Sequence, residues 1–404
     1  MNIAINTRLM LPGKMDGIGW FTYETTRRMV LAHPEHHFFL LFDRRPPEKY
    51  RFADNVTMVN LCPQARHPVL WWMFFEISVQ AALKRYKIDL YVSPDGMMPL
   101  HPHSPTLSVI HDLNFEHSSD NLRPSHQRYM CHFFPRFAHA ATRLATVSEY
   151  SRRDIVETYG IDEGNIDVVY DGAHSRYRPH TPEECADVRR RFTGGSPYII
   201  FISTILKRKN LANLLLAFDK VKDEFGEQSS ESGVNAAAPG QPQTHNSELR
   251  VPNSELKLVV VGGRFWWQDE LKEAYDTMRH KEDVIMLGRV EPEDLSTLLS
   301  ASEMLVYPSY FEGFGIPILE AMYAETAVVC SNTTSMPEVG GDAVLYIDPA
   351  SPKDIAKAIR QLLDNPSLRN DLIVRGRTQR EKYSWDRTAK LLWNSIMRIK
   401  GLRD

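Results

Sequence analysis

The sequence predicts an α/β protein of two doubly wound domains, and three observations predict it. Short β-branched runs alternate with longer helical patterns along the chain, as in parallel sheets covered by helices on both faces. The alternation comes in two series, with a break at the proline-bearing stretch Pro179–Pro182. The chain has 404 residues, 43% of them hydrophobic, which is enough to bury two separate cores.

In the first series the predicted strands are Asn2–Asn6, Phe38–Phe42, Leu90–Ser93, Thr106–Ile110, Leu144–Val147 and Ile166–Val169. The second runs Tyr198–Ile202, Lys257–Val261, Val284–Leu287, Met304–Tyr307, Ala327–Cys330 and Ala343–Tyr346. The expected domains are therefore 1–180 and 181–384. The final segment, Ser384–Lys400, reads as a helix whose Trp385, Leu392, Trp393 and Ile396 form a broad apolar face that must pack on something large.

Two segments fall outside this alternation. Gly226–Ser254 is polar and turn-rich, with a near duplication of Asn246-Ser-Glu-Leu at Asn253, and is expected to be a disordered surface insertion unable to bury enough apolar surface to order itself. Trp71, Trp72, Phe74 and Phe75 read as core packing of a helix whose apolar pattern continues through Ala81, Ala82 and Leu83. The competing reading of that aromatic run is a patch that docks on a membrane or lines an acceptor site.

Composition narrows the partners. A formal net charge of −3 and a pI near 6.6 give no global attraction to nucleic acid or other polyanions. Cys62, Cys131, Cys185 and Cys330 stand singly without C-x-x-C spacing, so reduced, buried thiols are expected rather than a zinc cage or disulfide frame. The opening Met-Asn-Ile-Ala-Ile-Asn reads as a strand, not a secretory leader. Spanning a bilayer takes roughly 18–20 apolar residues, and the densest cluster, Val69–Ile77, is too short and carries Glu76. A cytoplasmic location is expected.

The most informative string is Tyr307-Pro-Ser-Tyr-Phe-Glu-Gly-Phe-Gly-Ile-Pro-Ile-Leu-Glu-Ala-Met322, where a strand ends, a glycine-bearing loop follows and a helix opens at Ile316-Pro317. Gly313 and Gly315 let backbone approach a ligand closely, and amides at a helix N-terminus suit an anion such as a diphosphate. Glu312 precedes that helix and Glu320 lies about one turn inside it, so both can face one crevice at the carboxyl end of the strand and bind sugar or ribose hydroxyls.

Two glutamates eight positions apart, bracketing Gly-Phe-Gly-Ile-Pro, resemble the E-x7-E motif of family 4 of the retaining glycosyltransferases. The resemblance extends over nearly the whole chain. It implies a GT-B fold, two Rossmann-like domains facing across a cleft, with the C-terminal domain holding the nucleotide and the last helix, 385–404, packing back on the N-terminal domain. Ser203-Thr-Ile-Leu-Lys-Arg-Lys-Asn210 is similar to the family's phosphate-binding segment, which assigns Lys209 to the donor diphosphate. Many family members carry an arginine five residues before that lysine, where this chain has Thr204, and Arg208 is the candidate to supply the second positive charge.

The same resemblance assigns Gly313, Phe314, Gly315 and Glu320 to the donor, Glu312 to the transferred sugar, and Val284–Val290 to the base pocket. Met336–Ala343 is taken as structural, with Glu338 capping. Gly17-Ile-Gly19 follows a long loop after the first strand and precedes a helix read as Trp20–Leu31; Thr22 stands where a dinucleotide fingerprint would need its third glycine. The resemblance gives Gly17 and Gly19 to the donor side and places His111, at the end of the strand Val109-Ile-His-Asp112, near the transferred sugar. Ser148 or Ser151 is read as a helix cap.

The expected activity is retaining transfer of a hexosyl group from a nucleoside diphosphate sugar, of GDP-mannose or UDP-sugar type, to a hydroxyl of a glycan or polyprenyl-linked acceptor in cell-surface polysaccharide synthesis. No cofactor and no metal are expected, because Lys209, Arg208 and backbone amides can neutralise the leaving diphosphate. The inner face of the membrane is the expected place of action. Alternatives are a sugar-nucleotide epimerase or phosphorylase of similar fold, or a catalytically silent nucleotide-sugar-binding protein.

Overall fold

A computed structural model describes residues 1–13, 15–118, 122–232, 255–263 and 269–399, with the backbone alone for 225–232 and 269. The chain divides into two compact units, Met1–Gly172 together with the segment from Tyr383, and Ala173–Lys382.

In the first unit the strands are β1 Asn2–Asn6, β2 His37–Phe42, β3 Val56–Asn60, β4 Leu90–Ser93, β5 Thr106–Val109, β6 Arg143–Thr146 and β7 Ile166–Val168. They form one parallel sheet in the order β3-β2-β1-β4-β5-β6-β7. Ile3 pairs with Phe38 on one side and Leu90 on the other, so the strand order reverses at β1/β4 and leaves a crevice at their carboxyl ends. The inner strands are nearly unbroken apolar runs because both faces are covered. Strand β3 was not expected: it lies at the sheet edge, partly exposed, and Thr57 breaks its apolar run.

The second unit repeats the plan with β8 Tyr198–Ile202, β9 Lys257–Val261, β10 Val284–Gly288, β11 Leu305–Tyr307, β12 Val328–Ser331 and β13 Leu345–Ile347. All pairs are parallel, in the order β10-β9-β8-β11-β12-β13, so here the reversal falls at β8/β11. Leu214 and Phe218 of the helix beginning at Leu211 join Ile355, Ile359 and Leu362 of helix Pro352–Asp364 in the core on one face of this sheet.

Several expectations need correction. The first junction falls at Gly172/Ala173, ahead of Pro179–Pro182, because the intervening residues bond into the second unit: Ser296 Oγ donates to the Arg176 carbonyl at 2.7 Å, and His180 N donates to Ser300 Oγ at 3.1 Å. The helix from Leu211 continues to Ser232, through the first residues assigned to the insertion; the remainder, 233–254, lies outside the described residues. Of the four free thiols only Cys330 is buried, while Cys62 is exposed and Cys131 and Cys185 are intermediate. Helix Trp385–Met397 packs on helix Gly17–Ala32 of the first unit, with Trp393 stacked on His33 at 3.6 Å and Arg28 paired with Asp386 at 2.6 Å. Among the described residues no helix is long and apolar enough to cross a membrane.

Candidate active site

Two loops leave the carboxyl ends of β8 and β11, the strands on either side of the reversal. The first carries Lys207–Lys209 as a single 3-10 turn and ends at Asn210, whose positive φ of 59° reverses the chain into the next helix. The Asn210 amide donates to the carbonyls of Pro308 and Pro349, at 2.9 and 2.7 Å, and Tyr310 N donates to the Arg208 carbonyl at 2.8 Å. These bonds tie the two loops together.

At their junction lies a buried ion cluster. Lys209 Nζ donates to both oxygens of Glu312, at 2.6 and 2.8 Å, and lies 3.0 Å from the Tyr307 hydroxyl, which itself donates to Glu312 Oε1 at 2.8 Å. Arg208 Nη1 donates to Glu312 Oε2 at 3.1 Å and to the Phe311 carbonyl at 2.7 Å. Burial by itself would raise the Glu312 carboxyl, but the Lys209 ammonium and the Arg208 guanidinium hold it down at about 2. The cluster of two cations and one carboxylate carries a net positive charge near the helix that begins at Ile316.

That helix, Ile316–Tyr323, starts at Gly315 with φ 102°, a conformation open to glycine, and no side chain caps its N-terminus. Ser335 Oγ bonds to the carbonyls of both Glu312 and Phe314 at 2.9 Å, and Glu312 N donates to Thr334 Oγ1 at 3.2 Å. The loop 311–315 is thus pinned by residues following β12. Ser335 is the N-cap residue of helix Met336–Gly340, and Glu338 lies in that helix's first turn without a capping bond from the Ser335 side chain.

Glu320 has other neighbours. It is partly buried; burial pushes its carboxyl up to about 7, against the lowering pull of a hydrogen bond from Tyr177 and the charge of Arg176. The two glutamates that share a sequence motif therefore have opposite proton affinities. Tyr177 and Arg176 lie in the segment just after the junction, and no motif in the sequence marked them.

In the first unit the polar residues gather at the carboxyl ends of β1, β4 and β5. His111 Nε2 lies 2.8 Å from the Pro94 carbonyl, an acceptor only, so Nε2 bears the proton and Nδ1 keeps its lone pair in the neutral ring. Burial lowers the imidazole's proton affinity, and the ring meets Phe21 edge-on at 4.9 Å. The Pro94 loop is fixed by Asp95, which pairs with Arg8 at 2.7 Å and accepts from Asn6 at 2.9 Å. Ser148 caps helix Glu149–Tyr159 through the amide of Ser151, and Ser151 Oγ donates to the His111 carbonyl at 3.0 Å. Gly17 and Gly19 do not lie in a loop: they form the first turn of helix Gly17–Ala32, capped by Asp16. A Cβ on Gly19 would come 2.7 Å from the Leu9 carbonyl oxygen, so a glycine lets helix and loop meet there.

One group among the described residues has metal-ligand geometry, His280, Glu282 and Asp283, and Asp283 is already paired with Lys222 at 2.7 Å and with Lys257.

Residues 186–379 match the family described as "Glycosyl transferases group 1", and residues 15–176 match "Glycosyltransferase Family 4". The chain is 31% identical over 383 residues to the O-antigen chain mannosyltransferase B of Escherichia coli, covering 92% of this chain and 93% of that one. Among solved structures it superposes on Anabaena HepE in complex with UDP and glucose, with a TM-score of 0.70 at 14% identity over 98% of this chain and 99% of that one. It superposes also on WaaG, a glycosyltransferase involved in lipopolysaccharide biosynthesis, with a TM-score of 0.69 at 14% identity over 99% and 100% of the two chains. With its parallel sheets of seven and six strands, the chain belongs to glycosyltransferase family 4 and has the GT-B fold.

Proposed function

We propose that this glycosyltransferase moves a hexosyl group, mannose being favoured, from a nucleoside diphosphate sugar to a hydroxyl of a glycan or polyprenyl-linked acceptor, with retention at the anomeric carbon. The 31% identity to an O-antigen chain mannosyltransferase supports mannose and a role in cell-surface polysaccharide synthesis; in this reading the donor is GDP-mannose and the place of action the inner face of the membrane.

The observation that carries the chemistry is the Lys209–Glu312–Arg208 cluster at the β8/β11 reversal, beside an uncapped helix N-terminus. A departing diphosphate gains negative charge, and fixed cations with helix-end amides stabilise it without needing to reorganise. In this reading Lys209 and Arg208 meet the diphosphate, together with backbone at Gly313, Phe314 and Gly315, and no metal ion is used. Glu312, kept ionised by its two cations, orients the sugar hydroxyls. Glu320 accepts from the ribose diol. In the first unit, the helix start at Gly17 and Gly19 serves the donor phosphates and His111 the transferred sugar, the neutral imidazole offering Nδ1 as an acceptor.

The experiment is a donor panel of GDP-mannose, UDP-glucose and UDP-galactose with a polyprenyl-diphosphate-linked sugar acceptor, with and without a chelator. Anomeric NMR of the product tests retention. Chelator-resistant product of retained configuration supports the reading. Product without acceptor, inverted product, or turnover lost to the chelator and restored by magnesium would each overturn the corresponding part.

A further inference from the structure

Ten large hydrophobic side chains are notably exposed among the described residues, and four of them fall within nine consecutive positions: Val69 at 63%, Trp72 at 45%, Met73 at 36% and Ile77 at 53%. Others, such as Leu31, Val374 and Met397, are isolated in sequence, and single exposed apolar residues need no explanation. The four lie on one helical segment of the first unit, Pro68–Met73 continuing through a π-helical stretch, Phe74–Val79, into Gln80–Arg85. Its inner side is already satisfied: Trp71, Phe74, Phe75, Val79 and Leu83 are buried in the core, and Trp71 Nε1 donates to the Ala65 carbonyl at 2.8 Å. The aromatic run therefore divides, with Trp71, Phe74 and Phe75 inward and Trp72 outward. Positions 69, 72 and 73 share a face by helical spacing, and the wider π turn returns Ile77 nearly into line with them.

The ends of this face are basic. From residue 66 to 87 every exposed side chain is apolar or basic, with Arg66 and His67 before the apolar stripe and Lys84, Arg85 and Lys87 after it. The acid within the segment, Glu76, is not among the exposed residues, and its carboxylate accepts the Leu100 amide at 2.7 Å. A local cationic face on a chain of net charge −3 is a departure from the average surface. Apolar side chains with an interfacial tryptophan, bordered by lysine and arginine, complement an anionic bilayer surface, where the apolar groups enter the headgroup boundary and the cations reach lipid phosphates.

We propose that the face formed by Val69, Trp72, Met73 and Ile77, with Arg66, Lys84 and Arg85 at its ends, docks the enzyme on an anionic phospholipid surface. The proposal rests on the reading above only in that a polyprenyl-linked acceptor lies in such a surface.

The test is co-sedimentation of the full chain with phosphatidylglycerol-containing vesicles and with pure phosphatidylcholine vesicles, at low and high salt. The wild type should partition to the anionic vesicles alone and be released by salt. Trp72→Ser/Ile77→Ser should lower that partition by about tenfold or more, as should Lys84→Glu/Arg85→Glu, each with unchanged melting and unchanged turnover on a water-soluble acceptor. Absence of wild-type binding, equal binding to both vesicle types, or undiminished binding by both variants would overturn the proposal. So would a dimer in solution that Trp72→Ser/Ile77→Ser dissolves without any vesicle binding, because a second copy would then cover the face. Sedimentation needs neither donor nor turnover, so an inactive protein that binds vesicles leaves this surface standing while the transfer reading fails.

Discussion

Lys209 and Glu312 are joined by both carboxylate oxygens, at 2.6 and 2.8 Å from Nζ, although 103 residues separate them in the chain. Their loops follow β8 and β11, which become neighbours only once the sheet forms. Lys209→Met leaves Glu312 with Arg208 and the Tyr307 hydroxyl as partners, so the loss is that of one charged hydrogen-bonding partner, about 1.5–3 kcal/mol. It is therefore expected to lower the Tm by roughly 5 °C and to abolish turnover. The double variant Lys209→Met/Glu312→Gln should recover much of the Tm and none of the activity. Thermal melts of these two variants and of Glu312→Gln beside wild type check this; full additivity would show that the pair is not coupled.

Glu320, pushed up to about 7 by burial, changes charge near neutral pH. Ribose hydroxyls donate to the ionised carboxylate, so nucleotide binding should favour ionisation and release a proton. Affinity for the nucleoside diphosphate should accordingly be level above about pH 8 and weaken as pH falls through 7, by at most about tenfold per pH unit. Glu320→Gln should remove the dependence. Calorimetry in buffers of different ionisation heat measures both effects, and identical wild-type affinity at pH 6 and pH 8 would contradict the assignment.

Asp171 is buried, its Oδ1 lacking a hydrogen-bond partner among the described residues, and burial pushes its carboxyl up to about 8. Between about pH 4 and pH 8 the folded protein holds this proton while the unfolded chain has lost it. Folding then takes up a proton, and the group's contribution to stability falls with rising pH by about 1.4 kcal/mol per unit. Asp171→Asn should melt above wild type, with the gap widening from pH 5 to pH 8. A gap independent of pH would mean that Asp171 is ionised in the fold.

Much of this was legible in the sequence because it rests on local pattern. Both sheets, except the edge strand Val56–Asn60, follow from short apolar runs between helical periods, and the loop at Gly313–Gly315 announces itself by glycine and Pro317. The Ser148 cap was legible for the same reason. What could not be read depends on long-range pairing: that Arg208 and Lys209 converge on Glu312, that Ser335 pins the same loop, and that Tyr177 sits against Glu320. The helix start was read at Trp20 and lies at Gly17, because Asp16, three residues before Gly19, is an inconspicuous cap.

The central claim is that Glu320 serves the nucleotide and Glu312 the sugar that leaves it. Calorimetry with the nucleoside diphosphate, run beside steady-state rates with the sugar donor for Glu320→Ala and Glu312→Ala, tests it directly. Glu320→Ala should weaken nucleotide binding by about 1.5–3 kcal/mol. Glu312→Ala, which leaves Lys209 and Arg208 with their charge, should bind nucleotide as tightly as wild type or more so while turnover falls by at least about a hundredfold. Wild-type nucleotide affinity and wild-type rates in both variants would contradict the account.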